Sequence, residues 1–150
     1  MANPTTTAQR IFDIAMGLMD EVNESTGETD TSDTKEYKVR TLLILNALRG
    51  EVFPYSDTYT ATEDGTRPIC QVISNFTEVV QLDDYICQSV LPYGLAAQLL
   101  LDENPTAAGF LQQRYEELRA NLAKGMPQTS EDITDIYGVV SHPHNHFSRW

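Results

Sequence analysis

Basic residues are scarce in this chain: 10 Lys and Arg stand against 22 Asp and Glu, a formal net charge of −12. Binding nucleic acid through its phosphates needs clustered Lys and Arg, so the composition speaks against that class of function. The same charge fits plain solubility through self-repulsion. It also fits a surface past which DNA travels without sticking, because like charge repels phosphate. Cysteine is nearly absent. Cys70 and Cys87 have neither the number nor the spacing of a disulfide framework or a zinc site, and we read them as reduced thiols of an intracellular protein. Long apolar runs are missing as well, and nothing approaches the roughly 18 residues that a membrane span requires. The first residues, Met-Ala-Asn-Pro-Thr-Thr-Thr, lack a basic start and an apolar stretch, so secretion is not expected. Asn23-Glu24-Ser25 and Asn75-Phe76-Thr77 match the glycosylation pattern, but in the expected compartment they have no role.

Signatures of catalysis are also lacking. There is no phosphate-cradling Gly-rich loop, no Gly-x-Ser-x-Gly elbow and no His-Glu-x-x-His pair. Asp83 and Asp84 would be an acid–base pair only in isolation, since carboxylates are favoured at a helix start for dipole reasons alone. Cys87 falls in the most apolar stretch and reads as a small core residue. With no nucleophile, base and orienting group to assemble, we expect no enzyme.

What is present suits one globular domain. The chain has 150 residues, 41% of them hydrophobic, enough to bury a core without disulfides or metal. Periodicity and punctuation place four helices. The first covers about 8–22, with Ile11, Ile14, Ala15, Leu18 and Val22 on one face and one of the threonines 5–7 as its cap. An acidic polar loop, 23–31, follows. The second helix is expected from Asp33, where Asp33 and Glu36 have capping-box spacing, to Arg49, with Gly50 as its stop. Tyr37, Thr41, Ile44, Ala47 and Leu48 mark its face, and the run 42–45 is apolar nearly all round, which predicts burial on more than one side.

Between 51 and 82 the helical period disappears. Residues 55–62 and 68–74 have strand-like composition, and Asp64-Gly65 between them predicts a β-hairpin that needs support from helices or a neighbour. The third helix, about 84–103, is the most apolar element. Pro92 predicts a kink in it, and Gly94 with Ala97 predicts close approach of another helix. Asn104-Pro105 then opens a fourth helix, 105–124, closed by Gly125. Its stripe is Leu111, Tyr115, Leu118 and Leu122, and the pair forms a tight antiparallel hairpin. The expected fold is therefore mainly α, a small helical bundle with a β-hairpin-like insertion at about 51–82. Residues 1–127 form the domain and 128–150 an extended C-terminal tail.

The tail carries His142, His144 and His146. Alternate residues of an extended chain point the same way, so three imidazoles can meet one metal ion. All three come from one segment without a second shell of supporting groups, however. We therefore read the tail as a docking strap and expect neither metal nor cofactor. Aromatics and Arg are enriched where partners bury each other, which singles out Tyr137, His142, His144, His146, Phe147, Arg149 and Trp150. Tyr55, Tyr59 and Arg67 in the insertion are further candidates for contacts between subunits.

The stretch 82–124 resembles the helical hairpin of tailed-bacteriophage head–tail connector (adaptor, head-completion) proteins. The resemblance rests on the Tyr-Gly-Leu-Ala-Ala core at 93–97, the Glu-Asn-Pro turn at 103–105, Phe110, and the Arg-Tyr-Glu-Glu-Leu run at 114–118. It extends loosely back to Ala8. It implies a structural virion protein, made in the host bacterial cytoplasm and assembled in the phage neck as a self-associated ring, twelve-fold in the family. The ring would bind the portal protein through the C-terminal segment, present its other face to the next neck or tail protein, and let genome DNA pass without specific binding. No membrane is involved in this picture. The His-rich ending matches no family pattern. Two other readings stand beside it. An acidic regulatory module or DNA mimic would suit the charge, although the acids are scattered and not gathered on one helix face. A small metal-binding protein would use the three tail histidines.

Overall fold

The computed structural model describes residues 3–125. They form a mainly helical bundle with four α-helices, α1 (Ala8–Leu18), α2 (Lys35–Val52), α3 (Leu91–Leu100) and α4 (Pro105–Lys124). A 3-10 turn, Phe53–Tyr55, extends α2, and a π turn, Ile86–Val90, precedes α3.

α3 is the central element and packs against each of the other three helices. Leu91, Leu95, Ala96, Leu99 and their neighbours are buried on all sides, and Gln98 alone on this helix is exposed. Pro92 explains the π turn before it. Proline has no N–H, and its ring collides with the carbonyl four residues back. The chain widens instead, and the Leu91 N–H bonds the Ile86 carbonyl five residues back. At Gly94 the expected close approach is real. A β-carbon there would lie 3.0 Å from the Tyr115 ring of α4 and 3.1 Å from Leu48 Cδ1 of α2.

α4 has the bounds expected from its punctuation: Asn104 Oδ1 accepts from the Ala107 N–H at 3.1 Å and Pro105 fills the first helical position. Its buried residues are Ala108, Tyr115 and Leu118, with Leu111 and Leu122 packed partly against the core.

α1 ends at Leu18, earlier than expected. Asp20 adopts φ 60°, and the Glu21 N–H returns to the Met16 carbonyl at 2.9 Å while the Asp20 N–H returns to Gly17. This is the left-handed closure usually made by glycine, and aspartate tolerates it better than most residues. The buried face differs too: it runs through Ala8, Ile11, Phe12, Ala15 and Met16, whereas Ile14 and Leu18 are only half-buried.

α2 starts after Thr34, not at Asp33, and the capping box does not form. The Thr34 hydroxyl is already committed, donating to the Thr29 carbonyl and accepting from the Thr31 N–H. The helix also runs through Gly50. Burial of Val52 and the bonds made by Glu51 outweigh the cost of about 1 kcal/mol for a helical glycine. The expectation of burial around 42–45 holds in part: Leu45 is buried and Leu42 and Ile44 pack partly against the core, whereas Leu43 is 79% exposed.

The β-hairpin is the main correction. No strand is present among the described residues. Asp64-Gly65 does turn the chain: Gly65 has φ 72° and the Thr62 hydroxyl meets Thr66 Oγ1 at 2.7 Å. The two arms then part because each has another partner. Asn46 of α2 holds both backbone groups of Ile73, at 2.9 Å each, and Arg49 donates to the Gln71 carbonyl. On the other arm Thr58 Oγ1 donates to the Gln81 carbonyl at 2.7 Å and Asp57 N–H to Asp83. The β pairing among the described residues is one antiparallel bridge, Thr7 with Val79, which lays the chain before α1 along 76–80.

Candidate functional site

The strap residues Tyr137, His142, His144, His146, Phe147, Arg149 and Trp150 lie outside the described residues, as do the bounds of the 128–150 tail. The insertion candidates are not brought together. Tyr55 lines a hollow of about 450 Å³ with Asp57, Asp83, Tyr85, Asn121, Leu122 and Gly125. Tyr59 turns inward, its ring edge-on to Phe53 with centroids 5.1 Å apart. Arg67 is exposed beyond the 62–66 turn.

Asp83 and Asp84 each bond a segment distant in the sequence, Asp83 accepting from the Asp57 N–H at 3.0 Å. Asp84 accepts from the Thr5 hydroxyl at 2.7 Å, the Thr5 N–H at 2.9 Å, and the Thr6 hydroxyl and N–H at 2.8 and 2.9 Å. The bonds from Thr5, then those from Thr6, hold its carboxyl well below the usual carboxylate range. A carboxylate so bonded anchors the chain before α1 to the start of the α3 segment.

Cys87 is fully buried, and burial, reinforced by Asp84, pushes its thiol up to about 12. That environment makes it inert. Cys70 is half-buried, and both thiols are free. Among the described residues no cluster of His, Cys, Asp and Glu is arranged to hold a metal ion. No described helix is long and apolar enough to cross a membrane.

Polar side chains of α2 bond to other elements at both ends of the helix. Tyr37 donates to Glu103 in the α3–α4 turn. At the other end Glu51 accepts from the Tyr115 hydroxyl at 2.9 Å and from Arg119 at 2.8 Å. Burial and then the bonded carboxylate raise both phenols above their ordinary 10.0. Between them Arg49 is 2% exposed. Its Nη1 reaches Asn46 Oδ1 at 3.2 Å as well as Gln71, and its Nε is buried with no acceptor among the described residues. The sequence pattern ends the helix at Arg49, and nothing in an apolar stripe signals that this cation turns inward.

Among the described residues the outer surface carries large apolar side chains in four places: Val39 (73% exposed) and Leu43 on α2, Ile69 (78%) and Val72 (73%) on the extended segment, Tyr85 just before the π turn, and Leu101 and Phe110 (56% and 72%) around the α3–α4 turn. The acidic loop is folded upon itself, with Asn23 Oδ1 accepting from Ser25 and Thr26 and Asp30 paired to Lys38 at 2.8 Å. Comparison of the chain with protein-family models, with curated proteins and with solved structures finds no match in any of the three.

Proposed function

We propose that this chain is a structural subunit of a tailed-phage neck, a head–tail connector that associates with copies of itself into a ring. The ring joins the portal protein to the next neck or tail component and surrounds the passage for genome DNA. The observation that carries the reading is the set of exposed apolar side chains on separate elements: Val39 and Leu43 on α2, Leu101 and Phe110 around the α3–α4 turn. A ring is built by a head-to-tail contact in which one surface meets a different surface of the next copy, and two such patches supply that pairing. The acidic balance of −12 suits a wall that phosphate slides past. In this reading the strap residues dock on the portal, and the chemistry is mechanical, with no bond made or broken.

Sedimentation and electron microscopy of the full chain, alone and mixed with portal rings, test it. Rings are expected, and Leu43→Glu or Phe110→Glu should abolish them while leaving the helical circular dichroism unchanged, because both side chains face solvent. Deleting residues 141–150 should give heads that no longer acquire tails. A chain that stays monomeric beside portal rings, or that assembles normally with both charged substitutions, refutes the reading.

A further inference from the structure

Two exposed surfaces lie toward opposite ends of α2. At its start the Tyr37 hydroxyl meets Glu103, which lines a groove of about 510 Å³ between the end of α1 and the α3–α4 turn. Toward its end Arg49 meets the Gln71 carbonyl of the extended segment. From Tyr37 to Arg49 the helix rises roughly 18 Å, which keeps the two surfaces apart within one chain.

The groove is apolar with an acidic rim. Leu100, Phe110 and Leu111 line it together with Asp20, Glu21 and Glu103, and no basic residue does. The left-handed closure at Asp20 turns the chain as α1 ends and sets Asp20 beside Glu21 there. None of the three carboxylates has a cation at ion-pair distance among the described residues. Arg40 is engaged at the Leu99 carbonyl and Arg114 is paired with Glu117.

The other surface has the opposite charge. Val39, Leu43 and Asn46 share one face of α2, and Asn46 holds both backbone groups of Ile73. The exposed apolar stripe of α2 therefore continues onto the extended segment through Val72 and Ile69, and it ends at the exposed Arg67. Residues 66–74 contain one base and no acid. Glu78, the carboxylate behind them, is bonded by the Ser74 N–H at 3.4 Å and by Asn75 Nδ2 at 3.1 Å. Glu63 and Asp64 belong to the turn before the segment, and Lys35 and Glu36 offset each other at the far end of the stripe.

We infer that Arg67 and Ile69 of one copy enter this groove on the next copy, Arg67 among the carboxylates of Asp20, Glu21 and Glu103 and Ile69 against Phe110 and Leu111. Residues two apart on an extended chain leave it on the same side, so the two side chains arrive together. The inference rests on the ring reading and fixes which surface of one copy meets which surface of the next. A stripe at one end and a groove at the other make the contact head-to-tail, the kind that closes into a ring. Copies with a net charge of −12 repel one another, and opposite charge placed at the contact selects the one register in which they approach.

Disulfide trapping in the full chain tests the placement. Cys70→Ser removes the neighbouring thiol, Cys87 is buried, and Ile69→Cys is combined with Ala107→Cys, because Ala107 lines the groove. After assembly, oxidation with copper phenanthroline should join the two new thiols between copies and give a ladder of covalent multimers on a non-reducing gel. Either substitution alone should give none. The two single variants mixed before assembly should give a covalent dimer and nothing larger. Separately, Arg67→Gln should weaken self-association about tenfold in sedimentation, as truncating an interfacial arginine does, with urea unfolding unchanged because Arg67 is exposed. Copies that assemble yet give no ladder, or that crosslink through Ile69→Cys alone, overturn the placement and leave the ring reading standing. Assembly indifferent to Arg67→Gln overturns it as well. A full chain that stays monomeric removes the ring reading and this inference with it.

Discussion

Gly94→Ala isolates the contact on which the helix packing turns. Alanine is the better helix former by about 1 kcal/mol, so an unobstructed site would gain that much. At Gly94 the added methyl would sit 3.0 Å from both Tyr115 Cδ2 and Cε2 and 3.1 Å from Leu48 Cδ1, closer than van der Waals contact allows. Neither neighbour is free to retreat. Tyr115 is 1% exposed and its hydroxyl is tied to Glu51, and Leu48 is 5% exposed against the same core. Overpacking of this kind costs roughly 1–3 kcal/mol, which leaves a net loss of about 1 kcal/mol after the propensity gain. Gly109 on α4 is the control, exposed and with no atom within 4 Å of the place a methyl group would take. Gly109→Ala should therefore raise stability by about 1 kcal/mol. Urea unfolding of the full chain, followed by circular dichroism at constant m value, measures both. If Gly94→Ala stabilises the protein as much as Gly109→Ala does, then α2, α3 and α4 do not meet at Gly94 as described.

Three further outcomes follow from the polar contacts. Tyr37→Phe and Tyr115→Phe should each cost about 1 kcal/mol at neutral pH. Because folding raises both phenols above 10.0, the stability they lend is complete below that pH and is lost as pH rises through the folded values. An alkaline titration should show a late phenolate step that coincides with unfolding and vanishes in the double variant. Asp84 behaves oppositely: its carboxyl is depressed from 3.8, so its contribution is complete above that pH and disappears as pH falls. Asp84→Asn should lower neutral stability and flatten the acid limb of the stability curve; an unchanged acid limb would show that Thr5 and Thr6 are not held by this carboxylate. Asn46→Ala should free both backbone groups of Ile73, speeding exchange of that amide about tenfold, the effect of roughly 1.4 kcal/mol, with α3 amides unaffected.

Legibility varies with the kind of signal. α4 is readable to the residue because Asn104, Pro105 and Gly125 each have a local backbone reason to stand where they do. The end of α1 is not, because the left-handed closure falls on Asp20 and the usual glycine is missing. The buried face of α1 is only partly legible, since apolar residues at 11, 12, 14, 15, 16, 18 and 19 form two overlapping stripes. Only packing on α3 decides that Phe12 and Met16 go in while Ile14 and Leu18 stay half out. The hairpin fails for a related reason. The Asp64-Gly65 turn forms as its residues predict, but strand pairing competes with any other group that can satisfy the backbone, and Asn46 takes both groups of Ile73 while Arg49 takes the Gln71 carbonyl.

α2 shows why apolar periodicity alone could not place the functional candidates. Its inner face holds Tyr37, Thr41 and Arg49 beside Leu45 and Leu48, while Val39 and Leu43 look outward. In a free monomer both halves of that inversion are unfavourable: apolar area stays wet, and a guanidinium is dry without an anion. A surface covering Val39 and Leu43, as the proposed ring contact would, removes the first of these penalties. Leu43→Glu should therefore abolish assembly in sedimentation while leaving urea unfolding of the monomer unchanged, because that side chain is 79% exposed. A matching loss of stability would mean that Leu43 belongs to the monomer's own core.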